Sequence, residues 1–156
     1  MIAVIQRVSE ATVSVDEKVS GQCGQGLCVL LGVSQEDREQ DAEVLANKII
    51  NLRIFRDEND KMNLSLKDIG GQLLIVSNFT LLASYRRGNR PDFMNAAHPS
   101  EAERLYEYFG KLCEKEIPHV NYGVFGAHME LKITNDGPVT IVMDSKVLLA
   151  PKKSAN

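Results

Sequence analysis

Two long apolar runs, each introduced by glycine, place the strongest limit on how this chain can fold. One run covers 26–33 (GLCVLLGV), and the other covers 72–83 (QLLIVSNFTLLA) and contains the polar residues Ser77, Asn78 and Thr80 toward its end. Apolar runs of this kind, bounded by glycine and polar residues, predict strands that are buried in the middle of a sheet. The chain must therefore bring other elements over this sheet.

Two further segments have the spacing of helices that pack one face on a core. In each, apolar residues recur three and four positions apart, which is typical of an amphipathic helix. The two apolar stripes consist of Ala42, Leu45, Ala46 and Ile49, and of Ala102, Leu105, Tyr106, Phe109, Leu112 and Cys113.

Shorter alternating segments at 2–8, 12–15 and from about 119 to 144 complete the predicted sheet. The pattern predicts an α+β fold with two main helices and a mostly antiparallel sheet that curls toward a barrel. A chain of 156 residues is long enough for one core. We expect one domain over residues 1–147 and a flexible tail over 148–156.

Composition narrows the class of function. The net charge is −3, whereas proteins that coat nucleic acid are usually basic, so we expect no general DNA binding. A local contact with one end of an RNA stays possible. The three cysteines have no metal-binding or disulfide spacing, and no segment is typical of a signal peptide or a membrane span. We expect a cytoplasmic protein without a metal or another cofactor.

Familiar catalytic and metal-binding patterns are absent from the sequence. The acidic turn at 56–61 lacks the glycine and terminal glutamate of a calcium loop, so a solvated turn is the simpler interpretation. No nucleotide-binding loop or hydrolase elbow is present, and nothing marks a Ser/His/Asp triad.

Three segments could still carry chemistry, and Arg7 could support one of them; each also has a plainer interpretation. At 77–80 (SNFT), polar groups and backbone N–H groups at a strand end could face a ligand, or they could simply terminate the strand. At 121–129 (NYGVFGAHM), small residues allow close backbone approach or form a bulge between strands. Arg7 alternates onto a face of small and apolar residues, where it could reach water at a sheet edge or hold a backbone carbonyl.

The third place is the segment 131–144 (LKITNDGPVTIVMD). Its alternation around Asn135-Asp136-Gly137 predicts a hairpin. Pro138 follows where a plain hairpin would need a donor, and proline has no N–H and can make a cis peptide bond. The segment is either an ordinary turn or a rigid piece of backbone that is held toward something else.

Several of these stretches together resemble the D-aminoacyl-tRNA deacylases, which are also called D-tyrosyl-tRNA deacylases. The resemblance runs from residue 1 to about 146 in the family's order. It is carried by the stretches MIAVIQRVSEATVSVD, NLRIFRDENDKMNLSLKDIGGQLLIVSNFTLLA, NYGVFGAHM and NDGPVTIVMDS.

The family's S-Q-x-T pattern is matched by Ser77, Phe79 and Thr80, which the resemblance assigns to catalysis, but Asn78 stands where the family has glutamine. Asparagine is one methylene shorter, so contacts of that side chain are the ones affected. The implied substrate-binding residues are Asn78, Gly126, Ala127, Met129, Gly137 and Pro138, and the implied supports of the Gly-Pro loop are Arg7 and Asn135.

The resemblance implies a homodimer in which a cis Gly137–Pro138 loop enters the partner's pocket and leaves no room for an L side chain. It implies hydrolysis of the ester between a D-amino acid, or glycine, and the acceptor end of tRNA. Backbone N–H groups near Phe79 and Thr80 would stabilise the oxyanion, and the RNA's 2′-hydroxyl would assist the attacking water. Thr80 as a covalent nucleophile is the alternative, although no base accompanies it.

Arg86, Arg87 and Arg90 form the densest basic cluster of the chain and are candidates for tRNA contacts, or they belong to a solvated loop. Two rival functions stay open at this stage. One is a related deacylase with relaxed chirality, and the other is a non-catalytic RNA-binding module on the same fold.

Overall fold

The computed structural model describes residues 1–152. Its strands are β1 (Ile2–Val15), β2 (Lys18–Cys23), β3 (Gly26–Gly32), β4 (Phe55–Arg56), β5 (Met62–Leu64), β6 (Gln72–Ser77), β7 (Val120–Tyr122) and β8 (Glu130–Asp144). Its α-helices are α1 (Glu39–Ile50), α2 (Pro99–Glu114) and α3 (Ser145–Leu149), and a 3₁₀ helix covers Phe79–Leu82. The two predicted helices are α1 and α2, while α3 is a single short turn that covers the first two residues of the predicted tail. Residues 153–156 of that tail lie outside the described residues.

The sheet is mixed, so the prediction of a mostly antiparallel sheet was wrong. β1 pairs antiparallel with β2, β3 and β8, whereas β3 pairs parallel with β6 and β6 pairs parallel with β7. A helix lies between the two strands of each parallel pair, α1 between β3 and β6 and α2 between β6 and β7. Such a crossover returns the chain in the same direction, which makes the pairing parallel. The α+β class and a barrel-like main sheet are confirmed, and β4 and β5 form a separate two-stranded sheet.

The two apolar runs form the centre of this sheet, as predicted. Every residue of β3 except Leu30 is buried, and β6 is buried from Leu73 to Val76. The main core lies between these strands and the apolar faces of α1 and α2, with Phe109 and Leu45 among its fully buried side chains. A smaller core lies on the other face of the sheet, around Val13 and Leu74. Burial on both faces explains why these runs lack polar alternation.

Residues 131–144 do not form a hairpin, so that prediction was also wrong. They belong to one long strand, β8, both halves of which pair with β1. Gln6 lies opposite Thr140 and Val8 lies opposite Asn135, so the four residues 136–139 stand opposite Arg7 alone. The chain therefore continues in one direction, and the extra residues project from the strand as a β-bulge. We call residues 135–140 the bulge.

Candidate active site

The polar end of β6 turns directly into the 3₁₀ helix. The backbone N–H of Asn78 donates to the carbonyl of Leu31 on β3 at 2.8 Å, which fixes the first residue of the turn to the neighbouring strand. A Cβ on Gly32 would lie 2.6 Å from a methyl of Leu82 and 2.9 Å from the carbonyl oxygen of Asn78. Glycine at this position allows the turn to rest on the end of β3.

The side chain of Asn78 caps this turn. Its amide oxygen accepts from the backbone N–H of Thr80 at 3.2 Å and also from the Thr80 hydroxyl. The backbone N–H of Phe79 has no acceptor among residues 1–152. The turn thus leaves one backbone donor free and two donors occupied by its own side chain.

The turn lines a cavity of about 930 Å³. The residues 126–129 form another part of its wall, and the buried side chains of Val76 and Tyr106 contribute to its interior. Phe79 and Met94 also line the cavity and are largely exposed, which places them at its mouth. The lining is mostly apolar, and the polar side chains that line it outside the turn include those of Gln35, His98 and His128.

The wall segment before residue 126 is held by one carbonyl of β6. The carbonyl oxygen of Ile75 accepts from the N–H of Gly123 at 3.0 Å and from the hydroxyl of Tyr106 at 2.8 Å. The ring of Phe125 packs against the ring of Tyr106, with centroids 5.8 Å apart. Burial raises the pKa of Tyr106 well above its usual value, so its hydroxyl keeps its proton and remains a donor at neutral pH.

The bulge is a second polar region with dense internal support. Arg7 is buried, and its guanidinium donates to the carbonyl of Asp136 at 3.1 Å and to the carbonyl of Ile54 at 2.7 Å. Its Nε also lies 3.3 Å from the Asp136 carboxylate. Of the two sequence interpretations of Arg7, the structure shows the one in which it holds backbone carbonyls.

Asn135 closes the bulge from the other side. Its side-chain oxygen accepts from the N–H of Val139 at 3.0 Å, and its side-chain nitrogen donates to the Thr140 hydroxyl at 2.9 Å. Gly137 has a φ of +132°, which favours glycine, and the Gly137–Pro138 peptide bond is cis. The tip of the bulge is exposed to solvent.

The predicted site residues fall into three groups in space. The cavity brings together Ser77, Asn78, Phe79, Thr80, Gly126, Ala127 and Met129. None of Arg7, Asn135, Gly137 and Pro138 lines this cavity in the same chain. Arg86, Arg87 and Arg90 lie on an exposed loop that is closed by two hydrogen bonds between the backbones of Ser84 and Asp92. That loop leads directly into Phe93 and Met94 of the cavity lining.

Sequence reasoning missed several supporting residues. Asp136 and Ile54 contact Arg7 across distant parts of the chain, and no local pattern indicates such contacts. Thr140 accepts from Asn135, five residues away, and the sequence analysis did not single it out. Tyr106 was assigned to core packing, and its burial confirms that, but its hydroxyl also holds the Ile75 carbonyl. The ring of Phe93 packs edge to face on the ring of Phe79, with centroids 5.1 Å apart, and no local pattern indicates this pair.

The chemistry that these groups can perform is limited and specific. A free N–H beside an apolar cavity can stabilise negative charge on a carbonyl oxygen. Thr80 lacks an activating base, because its hydroxyl donates to an amide oxygen, which does not take up protons at neutral pH. Among residues 1–152, no group of three or more histidine, cysteine, aspartate or glutamate side chains could hold a metal ion. No helix in that same range is both long and apolar enough to cross a membrane.

The chain is similar to known deacylases over nearly its whole length. The sequence model described as D-Tyr-tRNA(Tyr) deacylase matches residues 4–144. A protein of Caldicellulosiruptor bescii named D-aminoacyl-tRNA deacylase is 54% identical over 146 residues, which are 94% of this chain and 98% of the relative. A Clostridioides difficile protein of the same name is 56% identical over 145 residues, which cover 93% and 97% of the two chains.

Solved structures give the same fold. A structure titled c-Myc DNA Unwinding Element Binding Protein has a TM-score of 0.87 and 41% identity, and the match covers 92% of this chain and 98% of the other. A second structure, titled as a probable eukaryotic D-amino acid tRNA deacylase, has a TM-score of 0.81 with the same coverage. It is 16% identical, so it supports the fold alone.

Proposed function

The chain belongs to the D-Tyr-tRNA(Tyr) deacylase family, and on that premise we propose that it hydrolyses the ester bond of D-aminoacyl-tRNA and releases the D-amino acid and free tRNA. The observation that carries the proposal is the free N–H of Phe79 at the wall of an apolar cavity. A free backbone donor at the wall of an apolar cavity is able to stabilise an oxyanion, which supports the proposal.

The reaction needs little acid–base machinery. Water adds to the ester carbonyl carbon, and the carbonyl oxygen becomes an oxyanion that accepts a hydrogen bond from Phe79. The bond to the ribose oxygen then breaks, and that oxygen receives the proton that the water has lost. We assign the relay of this proton to the neighbouring 2′-hydroxyl of the RNA, since no basic side chain among residues 1–152 forms a hydrogen bond with the turn.

Thr80 is a poorer candidate for a covalent nucleophile. Its hydroxyl donates to the side chain of Asn78, and an amide oxygen cannot remove the proton. Water attack is therefore the mechanism that the hydrogen bonds favour.

We further propose that the bulge rejects L-amino acids from the pocket of a second subunit. The tip residues Gly137 and Pro138 are exposed and lie outside the cavity of their own chain. In a homodimer the tip can enter the partner's cavity, where its carbonyl groups accept from the α-amino group and occupy the space of an L side chain. Glycine has no side chain to exclude, so glycyl-tRNA is expected to be a substrate as well.

The tRNA contact is proposed for the loop of Arg86, Arg87 and Arg90, because the loop is exposed and leads into the cavity lining. Replacing the three arginines by glutamine should raise KM and reduce the dependence of KM on salt. Unchanged values would assign the cluster to a solvated loop.

Three substrates test the function directly. One tRNA is charged with D-tyrosine or L-tyrosine, and a second is charged with glycine, and ester loss is followed with catalytic amounts of protein. We expect rapid loss of the D-tyrosyl and glycyl esters with the L-tyrosyl ester intact. Loss of both tyrosyl esters would favour a deacylase with relaxed chirality, and binding without turnover would favour an RNA-binding module.

Mixed dimers test the role of the bulge across subunits. Phe79→Pro removes the free N–H, and Gly137→Val disturbs the bulge, because a Cβ there would lie 2.9 Å from Val139 and 3.2 Å from Arg7. If the bulge serves the partner's pocket, a mixed dimer has one pocket in which both parts are intact. Each variant alone should be inactive, because one lacks the oxyanion donor and the other lacks the correctly placed carbonyl groups that bind the α-amino group. Refolding the two variants together should then restore about a quarter of wild-type activity, as expected for random pairing into twofold dimers. If pocket and bulge act within one chain, the mixture stays inactive.

The name of one solved relative refers to DNA binding, which gives a rival function. The net charge of −3 does not favour it. Parallel titrations with duplex DNA and with tRNA at physiological salt separate DNA binding from the proposed tRNA function. We expect the protein to bind tRNA but not duplex DNA.

A further inference from the structure

The amide oxygen of Asn78 accepts two hydrogen bonds at the proposed site. Its two donors, the backbone N–H and the hydroxyl, both belong to Thr80. We infer that Asn78 is an internal competitor for the oxyanion, so that this chain holds one of its two backbone donors away from the substrate. The inference rests on the proposed function, because it concerns the donors that stabilise the hydrolytic transition state.

Two consecutive N–H groups begin the 3₁₀ helix, and both residues line the cavity. The first, that of Phe79, has no acceptor among the described residues, and the second, that of Thr80, points to Asn78. A substrate oxyanion at this turn can therefore use the first donor freely. It can use the second only after the Asn78 oxygen has left.

The Asn78 oxygen is a rival that can be displaced. Its hydrogen bond to the Thr80 N–H is long, at 3.2 Å, and its acceptor is a neutral amide. The amide nitrogen of Asn78 makes no hydrogen bond to the described residues, so only the two Thr80 contacts hold the side chain in place. A developing oxyanion is a stronger acceptor than an amide oxygen, but the exchange subtracts from the stabilisation that a free donor would provide.

Position 78 offers a series of variants with opposite expectations. Glutamine places its amide one methylene farther along and does not close the same ring to the N–H two residues on. Asn78→Gln should therefore free the Thr80 N–H and raise kcat on D-tyrosyl-tRNA about three- to tenfold, the equivalent of one ordinary hydrogen bond. Asn78→Asp replaces the rival by a charged acceptor and should lower kcat at least about tenfold, since it holds the donor more strongly and repels the oxyanion.

Stability distinguishes this role from a purely structural one. The side chain caps the 3₁₀ helix, so Asn78→Gln should lower the melting temperature by about 2–4 °C while it raises kcat and leaves KM unchanged. If Asn78 only supported the turn, Asn78→Gln would lower both the melting temperature and kcat. Asn59→Gln, the same side-chain change on the exposed turn between β4 and β5, is the matched control and should alter neither quantity.

The outcomes separate the inference from the function on which it rests. If the wild type hydrolyses the D ester and Asn78→Gln is equally fast or slower, the inference is wrong and the proposed function stands. If the wild type is inactive and Asn78→Gln is active, the competitor role is supported and the wild-type function is not. If neither protein hydrolyses the ester, both are wrong.

Discussion

The cavity wall and the bulge hold their functional groups in opposite ways. At the cavity, Phe79 and Thr80 are exposed, and the key N–H of Phe79 makes no hydrogen bond to the described residues. At the bulge, Arg7 and Asn135 supply contacts to four other residues around one short projection. The proposed oxyanion donor, the N–H of Phe79, is thus left free to bind a transient charge. The bulge, which is proposed to exclude L side chains, is instead held in one shape by its own hydrogen bonds.

The free donor of the cavity should give the largest effect. Phe79→Pro keeps a residue suited to the first position of a helix but removes its N–H, whereas Phe79→Ala keeps the N–H and removes the ring. If the N–H stabilises the oxyanion, kcat for D-tyrosyl-tRNA should be about 100-fold or more lower in the proline variant than in the alanine variant. Single-turnover deacylation measures this ratio, and equal rates would remove the N–H from the mechanism.

Replacing Arg7, the main support of the bulge, should give the next largest effect, and the quantity affected is the stability of the fold. Arg7→Ala leaves the carbonyl of Ile54 without its donor in a buried place, and the carbonyl of Asp136 without its donor in a partly buried one. We expect the free energy of unfolding to fall by about 3 kcal/mol, as for other buried charged hydrogen-bonding groups. Urea unfolding at one protein concentration measures the change.

An exposed arginine provides the control for that variant. Arg56→Ala removes only a surface ion pair with Asp60 and should change the free energy of unfolding by less than about 0.5 kcal/mol. If the two alanine variants were equally stable, the bulge would not depend on Arg7, and the contrast between the two regions would disappear.

The second support of the bulge sharpens the comparison at a smaller scale. Asn135→Ala removes the two hydrogen bonds to Val139 and Thr140 and should lower the free energy of unfolding by about 1–2 kcal/mol. Because these bonds hold the shape of the bulge, which is proposed to exclude L side chains, the ratio of D- to L-tyrosyl-tRNA hydrolysis should fall as well. Asn121→Ala, at an exposed position of β7, is the matched control and should leave that ratio unchanged. A D/L ratio that survives Asn135→Ala would show that the bulge holds its shape without this side chain.

The smallest effect is expected for the Thr80 hydroxyl. Thr80→Val keeps the shape and the backbone N–H but removes a hydroxyl that donates to an amide oxygen. We expect kcat to stay within about threefold of the wild type, because no base activates that hydroxyl. A loss as large as that of Phe79→Pro would instead support the nucleophile.

The pattern of neighbouring residues was enough to predict part of this structure. The apolar runs that became β3 and β6 and the stripes of α1 and α2 were predicted because burial and helical periodicity are written in neighbouring residues. The groups at 77–80 and 126–129 were also found, through small and polar residues at strand ends and through the family resemblance. Their meeting at one cavity was not visible in either segment alone.

The errors have a common physical cause. The signal at Asn135-Asp136-Gly137 was that of a hairpin, yet both halves of β8 pair with β1, and long-range pairing prevailed over the local turn preference. The parallel direction of β6 and β7 likewise depends on how α1 and α2 cross the sheet.

The local sequence pattern was sufficient to predict which segments are buried, which residues can donate from a strand end, and that Gly137 and Pro138 mark an irregular place in the backbone. Only the tertiary structure decided that Arg7 reaches Asp136 and Ile54, that the bulge tip lies outside its own cavity, and that the Asn78 oxygen accepts from Thr80. The reason is one of distance and direction. Periodicity reports which face of an element is apolar, whereas a hydrogen bond depends on where two groups lie after the whole chain has packed.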